Sequence, residues 1–344
     1  MRTPEAREKT MLTADTVKLC IPLSGVIEFN SDHARVTKHI TVKQKQELIS
    51  HSIDCNGILG LNSVKLATNE TAEIQLSAKS LNRDYLKLIN QNTILQALEK
   101  VNQLECFKIH PEQALEKAIL HRMDICLDIP LQGHDINEAL QALETIHNRA
   151  YTLSPYPSQG IVIQKNAKTN NCREIFYNKG QEVLRDKELL MLCRPDDFKG
   201  LLRSELNLRK FTYLRRYLNI KHKDNIRLTE ALLSNERPNA RYFDEFESPM
   251  PSLFAEVNHF KSYDDYARAK GEETILKELN YNEAQYFSLI RPFFKDKSSA
   301  YKIIRERIKP LKEKLLQDVK PEASIILKHI REYLKAGHLS PSQA

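Results

Sequence analysis

Three stretches of this chain alternate apolar and polar residues with a period of two, and that pattern limits the fold more than any other feature. In "RMDICLDI", Met123, Ile125, Leu127 and Ile129 form one face, and Arg122, Asp124, Cys126 and Asp128 the other. In "LLRSELNLR", Leu202, Leu206 and Leu208, with Ser204 among them, lie opposite Arg203, Glu205, Asn207 and Arg209. In "CREIFYNKG", Arg173, Ile175, Tyr177 and Lys179 alternate with Glu174 and Phe176. Successive side chains of a strand point to opposite faces, so each stretch is predicted to be a strand with one buried side. If the three share a sheet, the apolar side rests on a core and the other carries Asp124, Asp128, Glu205, Tyr177 and Lys179.

Two readings of that charged side stand together. One is an amphipathic sheet open to water, laced with cross-strand ion pairs worth roughly a few tenths of a kcal/mol each. The other is a metal site beside a nucleophile. Carboxylates on separate strands, with no histidine among them, suit hard oxygen-seeking cations, Mg2+ or Mn2+. A phenol has a pKa near ~10 and attacks poorly at neutral pH. Lys179, on the tyrosine's own face, would favour the phenolate or stabilise a phosphorane. An ion held by Asp124 and Glu205 would neutralise charge on a phosphodiester and favour departure of its 3′ oxygen. The product is a 5′-phosphotyrosine and a free 3′-OH, and the conserved bond energy lets the same site rejoin the strand.

Up to about residue 230 the chain reads as strands with intervening helices. "DTVKLCIPL" (15–23), "GILGLNSVKLA" and "AEIQLSAKSL" are predicted strands, the first with Val17 and Leu19 on one face, and "KQKQELISHS" a short helix. "NTILQALEKVNQLE" (92–105) is predicted to be an amphipathic helix starting near an Asn cap, and "DINEALQALETIHNRA" (135–150) another with an Asp cap. "YTLSPYPSQG" reads as a loop, "QGIVIQKN" and "CREIFYNKG" as a hairpin, and "KFTYLRRYLN" as a basic helix. The expected fold is α+β: a mainly antiparallel curved sheet with helices packed on one face, followed by a helical C-terminal domain. The expected boundaries are a flexible leader (1–13), an α+β domain (14–230), a linker or extended loop (231–262) and a basic helical domain (263–344).

The formal net charge is +7, and its position matters more than its size. Seven Lys/Arg and one acid fall between Arg203 and Lys223, and ten Lys/Arg and four acids between Arg291 and Lys320. The first cluster is suited to gripping phosphates; the second either enters a groove of duplex DNA or is a solvated helical face. Six widely spaced cysteines with no C-x-x-C fit free thiols in a reducing cytoplasm. The chain has neither G-x-x-x-x-G-K nor G-x-G-x-x-G, which argues against ATP hydrolysis. No apolar run approaches ~18 residues, and the opening "MRTPEAREKT" is charged, so neither a membrane span nor a signal peptide is expected.

The order of "RMDICLD", "REIFYNKGQE" and "GLLRSELNLRK" resembles the rolling-circle replication initiators of filamentous phages, the gene II protein family, and the related plasmid replication initiation factors. Those families show an R-[IM]-D strand, a strand with Tyr followed two residues later by Lys, and a hydrophobic-Arg-x-Glu strand. Here the matching positions are Arg122 and Asp124, Tyr177 and Lys179, and Arg203 and Glu205, with Ser204 where an aromatic often stands. The opening "ADTVKLCIPL" is also similar to the family's N-terminus, which marks Met11 as the natural start. The likeness runs from about residue 14 to 230.

The resemblance implies a bacterial cytoplasmic nickase. Tyr177 is its nucleophile, Asp124 and Glu205 are metal ligands, and Asp128 is a further ligand that fits the plasmid relatives better. Candidate DNA contacts are Arg122, Arg173, Arg203, Arg209, Lys210, Arg215, Arg216, Lys221 and Lys223. Implied partners are origin DNA, single- and double-stranded, a host helicase and polymerase, and a second copy in a dimer. There is no His-hydrophobe-His pair, which argues against the two-histidine class. "HIREYLKAGH" offers His329, Arg331 and Tyr333 as a weaker tyrosine-recombinase pattern. The reading from a different class is a non-enzymatic origin-binding protein that recruits a helicase. The nickase reading requires the Tyr177 hydroxyl to be accessible and close to both carboxylates.

Overall fold

The computed structural model describes residues 12–29, 36–43, 46–67, 71–146, 148, 150–165, 171–222, 224–248, 257–318 and 321–337. Twelve strands form in chain order: β1 (Ala14–Pro22), β2 (Val26–Phe29), β3 (Val36–Lys43), β4 (Gln46–Ile53), β5 (Leu61–Ala67), β6 (Thr71–Ser77), β7 (Phe107–Ile109), β8 (Ile119–Pro130), β9 (Tyr151–Tyr156), β10 (Gly160–Lys165), β11 (Cys172–Asn178) and β12 (Leu201–Leu208). Ten of them make one sheet in the order β3-β4-β5-β6-β1-β8-β12-β11-β10-β9, and β2 and β7 pair separately. Every neighbouring pair is antiparallel. The three alternating stretches are β8, β12 and β11, adjacent at the centre of the sheet.

The apolar sides of these strands build the core. Met123, Ile125, Ile129, Leu202, Leu206 and Phe176 are buried. Helices Ile136–Glu144, Pro238–Glu247 and Pro321–Ala336 pack on that side. The first is capped as its sequence predicts: Asp135 accepts from the Asn137 amide, and Glu138 closes a capping box. The last contributes buried Ile326, Ile330 and Leu334, and Arg331 grips Glu247 through two bonds of 2.6 and 2.7 Å. His329 lies 2.6 Å from the Pro130 carbonyl. The recombinase-like trio therefore docks a helix rather than forming an active site.

The structure departs from the sequence expectations at five places. Of the stretch 43–52, expected to be a helix, Lys43 ends β3 and the residues from Gln46 on lie in β4, which extends the sheet between β3 and β5; residues 44 and 45 lie outside the described residues. The stretch 151–160, expected to be a loop, contains β9. Pro155 is tolerated there because β9 is the edge strand, where a missing amide costs no ladder bond. The helix expected over 92–105 covers Ile94–Glu99 and tightens to a 3-10 turn at Lys100–Gln103, with Thr93 at its cap position. Leu12 and Thr13 belong to the fold and not to a leader: Leu12 is buried, and the Thr13 hydroxyl donates to the Cys126 carbonyl at 2.7 Å. Residues 1–11 lie outside the described residues.

The fifth departure is the expected linker. Residues 238–247 are a helix whose Tyr242, Phe243 and Phe246 are at most 1% exposed. Pro238 stands in its first turn, where a missing amide is harmless. Beyond it, Val257 to Leu311 gather a second apolar cluster around Tyr263, Tyr266, Leu276 and Tyr286. Among the described residues no helix is long and apolar enough to cross a membrane, and the six cysteines are free. Truncating Phe243 to alanine should cost about 3–5 kcal/mol in urea unfolding of the sheet domain; a change below about 1 kcal/mol would show that 238–247 is a dispensable linker.

Candidate active site

Register decides which side chains meet. On the face away from the helices, one rung runs Arg173, Asn207, Asp124, Thr16 across β11, β12, β8 and β1. The next runs Ile175, Glu205, Cys126, and the third Gly160, Tyr177, Arg203, Asp128. Glu205 thus stands diagonally between Asp124 and Tyr177, within side-chain reach of both. The Tyr177 hydroxyl donates to Glu205 Oε2 at 3.1 Å, and Asn207 Nδ2 donates to the other carboxylate oxygen at 2.7 Å. Gly160 is required on the third rung, since a Cβ there would lie 2.5 Å from the Tyr177 Cβ.

This face is not open to water, contrary to expectation. Tyr177 is 1% exposed, beneath the Tyr156 ring at a centroid distance of 5.0 Å. β11 stops at Asn178, whose side chain caps the helix Lys179–Arg185 by accepting from the Gln181 amide. Lys179 is therefore the first residue of that helix and not a strand residue. Its ammonium lies 5.8 Å from the Tyr177 ring centre and 5.6 Å from that of Tyr85, and it pairs with Glu182. Tyr85 belongs to the 3-10 segment Ala78–Lys87. Phe198, from the turn Pro195–Phe198, stacks on Arg203 at 5.4 Å.

The expected activation of Tyr177 by Lys179 is not what the resting geometry produces. Burial and the nearby charges of Glu205 and Glu182 push the phenol well above its ordinary pKa, and Arg203 is the cation that opposes them. Arg203 is fully buried and clamps Asp128 through bonds of 2.6 and 2.7 Å. One expectation is corrected here, since Arg203 has no surface to offer DNA; Asp128, the expected further ligand, has both carboxylate oxygens on that guanidinium.

Asp124 is also buried, and Arg122 holds it in two bonds of 3.0 and 2.5 Å. Burial raises its pKa while Arg122 opposes the rise. Glu205 is raised to about 7, first by burial and then by the charges of Asp15 and Asp124. Asp15 is the acid that alternation does not predict. β1 carries one extra residue between Ala14 and Thr16, a bulge that falls on Asp15 and breaks the parity that would send it to the apolar side. Tyr85 was equally unsignalled. It is 1% exposed, and it feels the charges of Lys179, Asp15 and Arg203.

The charges of Asp15 and Asp124 bear on Glu205, which has the Asn207 amide and the Cys126 position as its other neighbours. Both oxygens of Asp124 accept from Arg122, and those of Glu205 accept from Tyr177 and Asn207. Among the described residues no group of three or more His, Cys, Asp or Glu converges as a ligand set.

Of the expected DNA contacts, Arg173 donates to Asn207 at 3.0 Å and Arg216 to Glu245 at 2.8 Å. Arg215 donates to the Lys221 carbonyl at 3.4 Å, and Lys210 and Lys221 are exposed. Arg209 and Lys210 line a groove with Arg122. Lys223 lies outside the described residues. On the opposite face Glu174, fully buried, is raised to about 8 by burial. Ser204 donates to it at 2.7 Å, which gives a physical role to the serine in "RSE".

No family model and no curated protein matches the chain. A solved structure of a rolling circle replication initiator protein from Geobacillus stearothermophilus matches at 12% identity and a TM-score of 0.29, over 58% of this chain and 74% of that one. Likeness at that level does not establish a shared fold.

Because the folded state raises Glu205, it binds that proton more tightly than the unfolded chain. The associated stability is complete below about pH 4.5 and is lost as pH rises to about 7. Glu205→Gln should therefore stabilise the protein by about 1–2 kcal/mol at pH 8 and change it little at pH 4.5. Equal effects at the two pH values in thermal melts would contradict the shift.

Proposed function

We propose that this chain is a rolling-circle replication initiator that nicks one strand of origin DNA. The observation carrying the reading is the rung geometry: a phenol, Glu205 and Asp124 on three adjacent strands of one face, with the Tyr177 hydroxyl 3.1 Å from Glu205. Perturbed carboxylates grouped around a possible nucleophile are what catalytic sites have in common.

The chain's own residues supply a balanced path. Tyr177 Oη attacks phosphorus, its proton passes to Glu205 Oε2, and the P–O3′ bond breaks. Glu205 Oε2 already accepts the hydrogen bond along which that proton moves. The departing 3′ oxygen takes a proton from water and becomes the 3′-OH that a host polymerase extends. The reverse attack by a 3′-OH on the phosphotyrosine rejoins the strand. Asp124 and Glu205 would hold a Mg2+ or Mn2+ ion, which when bound neutralises phosphate charge. Arg203, beside Tyr177, favours the phenolate more directly than Lys179 does. A host helicase, a dimeric state and the bacterial cytoplasm belong to the same proposal.

One observation favours a second reading. Tyr177 is only 1% exposed in the resting state, so the nickase must open before DNA reaches it, whereas a non-enzymatic origin-binding protein needs no opening. Supercoiled origin plasmid separates the two. Tyr177→Phe should abolish nicking while leaving origin binding within about twofold. A wild-type protein that binds the origin and never nicks it would establish the binding-only reading.

A further inference from the structure

On the same face, past the carboxylates, lies a groove of about 350 Å³ walled by Lys18, His121, Arg122, Arg209, Lys210 and Phe211. A bulge and a strand end build it. Lys18 of β1 stands opposite Arg122 of β8, one step from a register shift that leaves His121 without a paired residue. β12 ends at Leu208, opposite Met123, so Arg209 and Lys210 leave the ladder next to Arg122 and lead into the helix Phe211–Tyr217. Two of the groove's basic side chains are already answered by Glu73, which lies 2.8 Å from Lys18 and 3.4 Å from His121.

The two arginines keep donors in hand. Arg122 holds the buried Asp124 with Nε and Nη2 alone, which leaves the Nη1–Nη2 edge of its fork for an anion without releasing that carboxylate. The same pair fixes the guanidinium, so the outer edge is presented in one orientation. Arg209 Nε is out of reach of water and has no hydrogen-bond partner, a state that an incoming acceptor relieves. Burial and the charges of Arg122 and Arg173 pull the Arg209 pKa down, so a negative charge beside it is favoured. We infer that this groove holds one phosphodiester of a single-stranded DNA chain between the free edge of Arg122 and the Arg209 guanidinium. Its volume is that of a small ligand, room for a nucleotide and too little for a duplex. Lys210, exposed on the rim, serves a neighbouring phosphate, and Phe211 on the wall serves a base.

The groove has a fixed place relative to the candidate nucleophile. Along β8, Arg122 is separated by about 20 Å of strand from Asp128, whose rung carries Tyr177. The gripped phosphate is therefore several nucleotides away from the one that Tyr177 attacks. The inference rests on the reading that DNA lies on this face, but it needs neither a divalent ion nor the nicking step, so it is tested by binding in EDTA. Anisotropy of a labelled ten-nucleotide oligothymidine on the full chain reads the affinity, and the salt dependence counts the phosphates neutralised. Arg209→Gln should weaken binding about tenfold at low salt and reduce the log–log salt slope by about 0.7. Arg209→Lys, which keeps the charge but not the fork, should keep the slope and recover part of the affinity, which guards against misfolding of the first variant. Lys328→Gln, on the helix that packs on the opposite side of the sheet, should change neither. In 1H–15N spectra of the wild-type arginine Nε groups, the oligothymidine should shift the Arg209 signal.

A loss below twofold in Arg209→Gln, an unchanged salt slope, or an Arg209 signal that the oligothymidine leaves in place would overturn the inference. The same signal shift from inorganic phosphate at the oligonucleotide's concentration would overturn the assignment to a DNA strand. A blunt twelve-base-pair duplex that binds as tightly, and loses as much in Arg209→Gln, would overturn the assignment to a single strand. A protein that nicks and shows none of these effects loses the groove and keeps the nickase reading; one that shows them all and never nicks does the reverse.

Discussion

Everything at the candidate site depends on the antiparallel register of four neighbouring strands, β1, β8, β12 and β11. The side-chain period of a strand is two, so a slip of one residue would send Asp124, Glu205 and Tyr177 into the apolar side and bring Met123, Leu206 and Phe176 out. The burial of those three apolar residues beneath the helices holds the register. Core packing on one face therefore fixes the chemistry of the other. The arrangement is reinforced by Arg203, which is paired across the ladder with both Tyr177 and Asp128 and clamps the latter.

The charged face is organised as locked pairs. Arg122 holds Asp124, Arg203 holds Asp128, and Lys179 holds Glu182. Breaking such a pair by removing one partner is expensive, whereas exchanging partners is far less so. Glu205 is the exception: burial first, and then the charges of Asp15 and Asp124, raise it to about 7 against the opposing hydrogen bond from Asn207. The resting molecule therefore has an acid held near neutrality with the Tyr177 hydroxyl donating to it, beside arginines engaged with other carboxylates. On the proposed nicking reaction Tyr177, 1% exposed, must first be uncovered.

Much of this was legible in the sequence, because alternation reports burial directly. β8, β11, β12 and the β10–β11 hairpin were readable from period and flanking turns, and the cap at Asp135 from its residue type. The face shared by Asp124, Glu205 and Tyr177 followed from parity. What parity could not reveal is where it breaks. The bulge that redirects Asp15 is a property of pairing between β1 and β8, not of "ADTVKLC" alone. β4 and β9 were misread because neighbouring strands overrode weak local propensity. The helix Pro238–Glu247 was obscured by charges on its solvent side, although Tyr242, Phe243 and Phe246 form a helical stripe. The Tyr156 ring that packs on Tyr177 comes from another strand, and no local pattern marks it.

The central claim is that the Tyr177 oxygen becomes bonded to DNA. Incubation of the full chain with single-stranded origin DNA and Mn2+, followed by nuclease and trypsin digestion and mass spectrometry, reads that bond directly. Trypsin cuts after Arg173 and Lys179, so the account predicts a residual nucleotide on the hexapeptide Glu174–Lys179, located at its tyrosine. A nucleotide found instead on Tyr85, Tyr213 or Tyr217, or an origin cleaved with no adduct on any peptide, would contradict it.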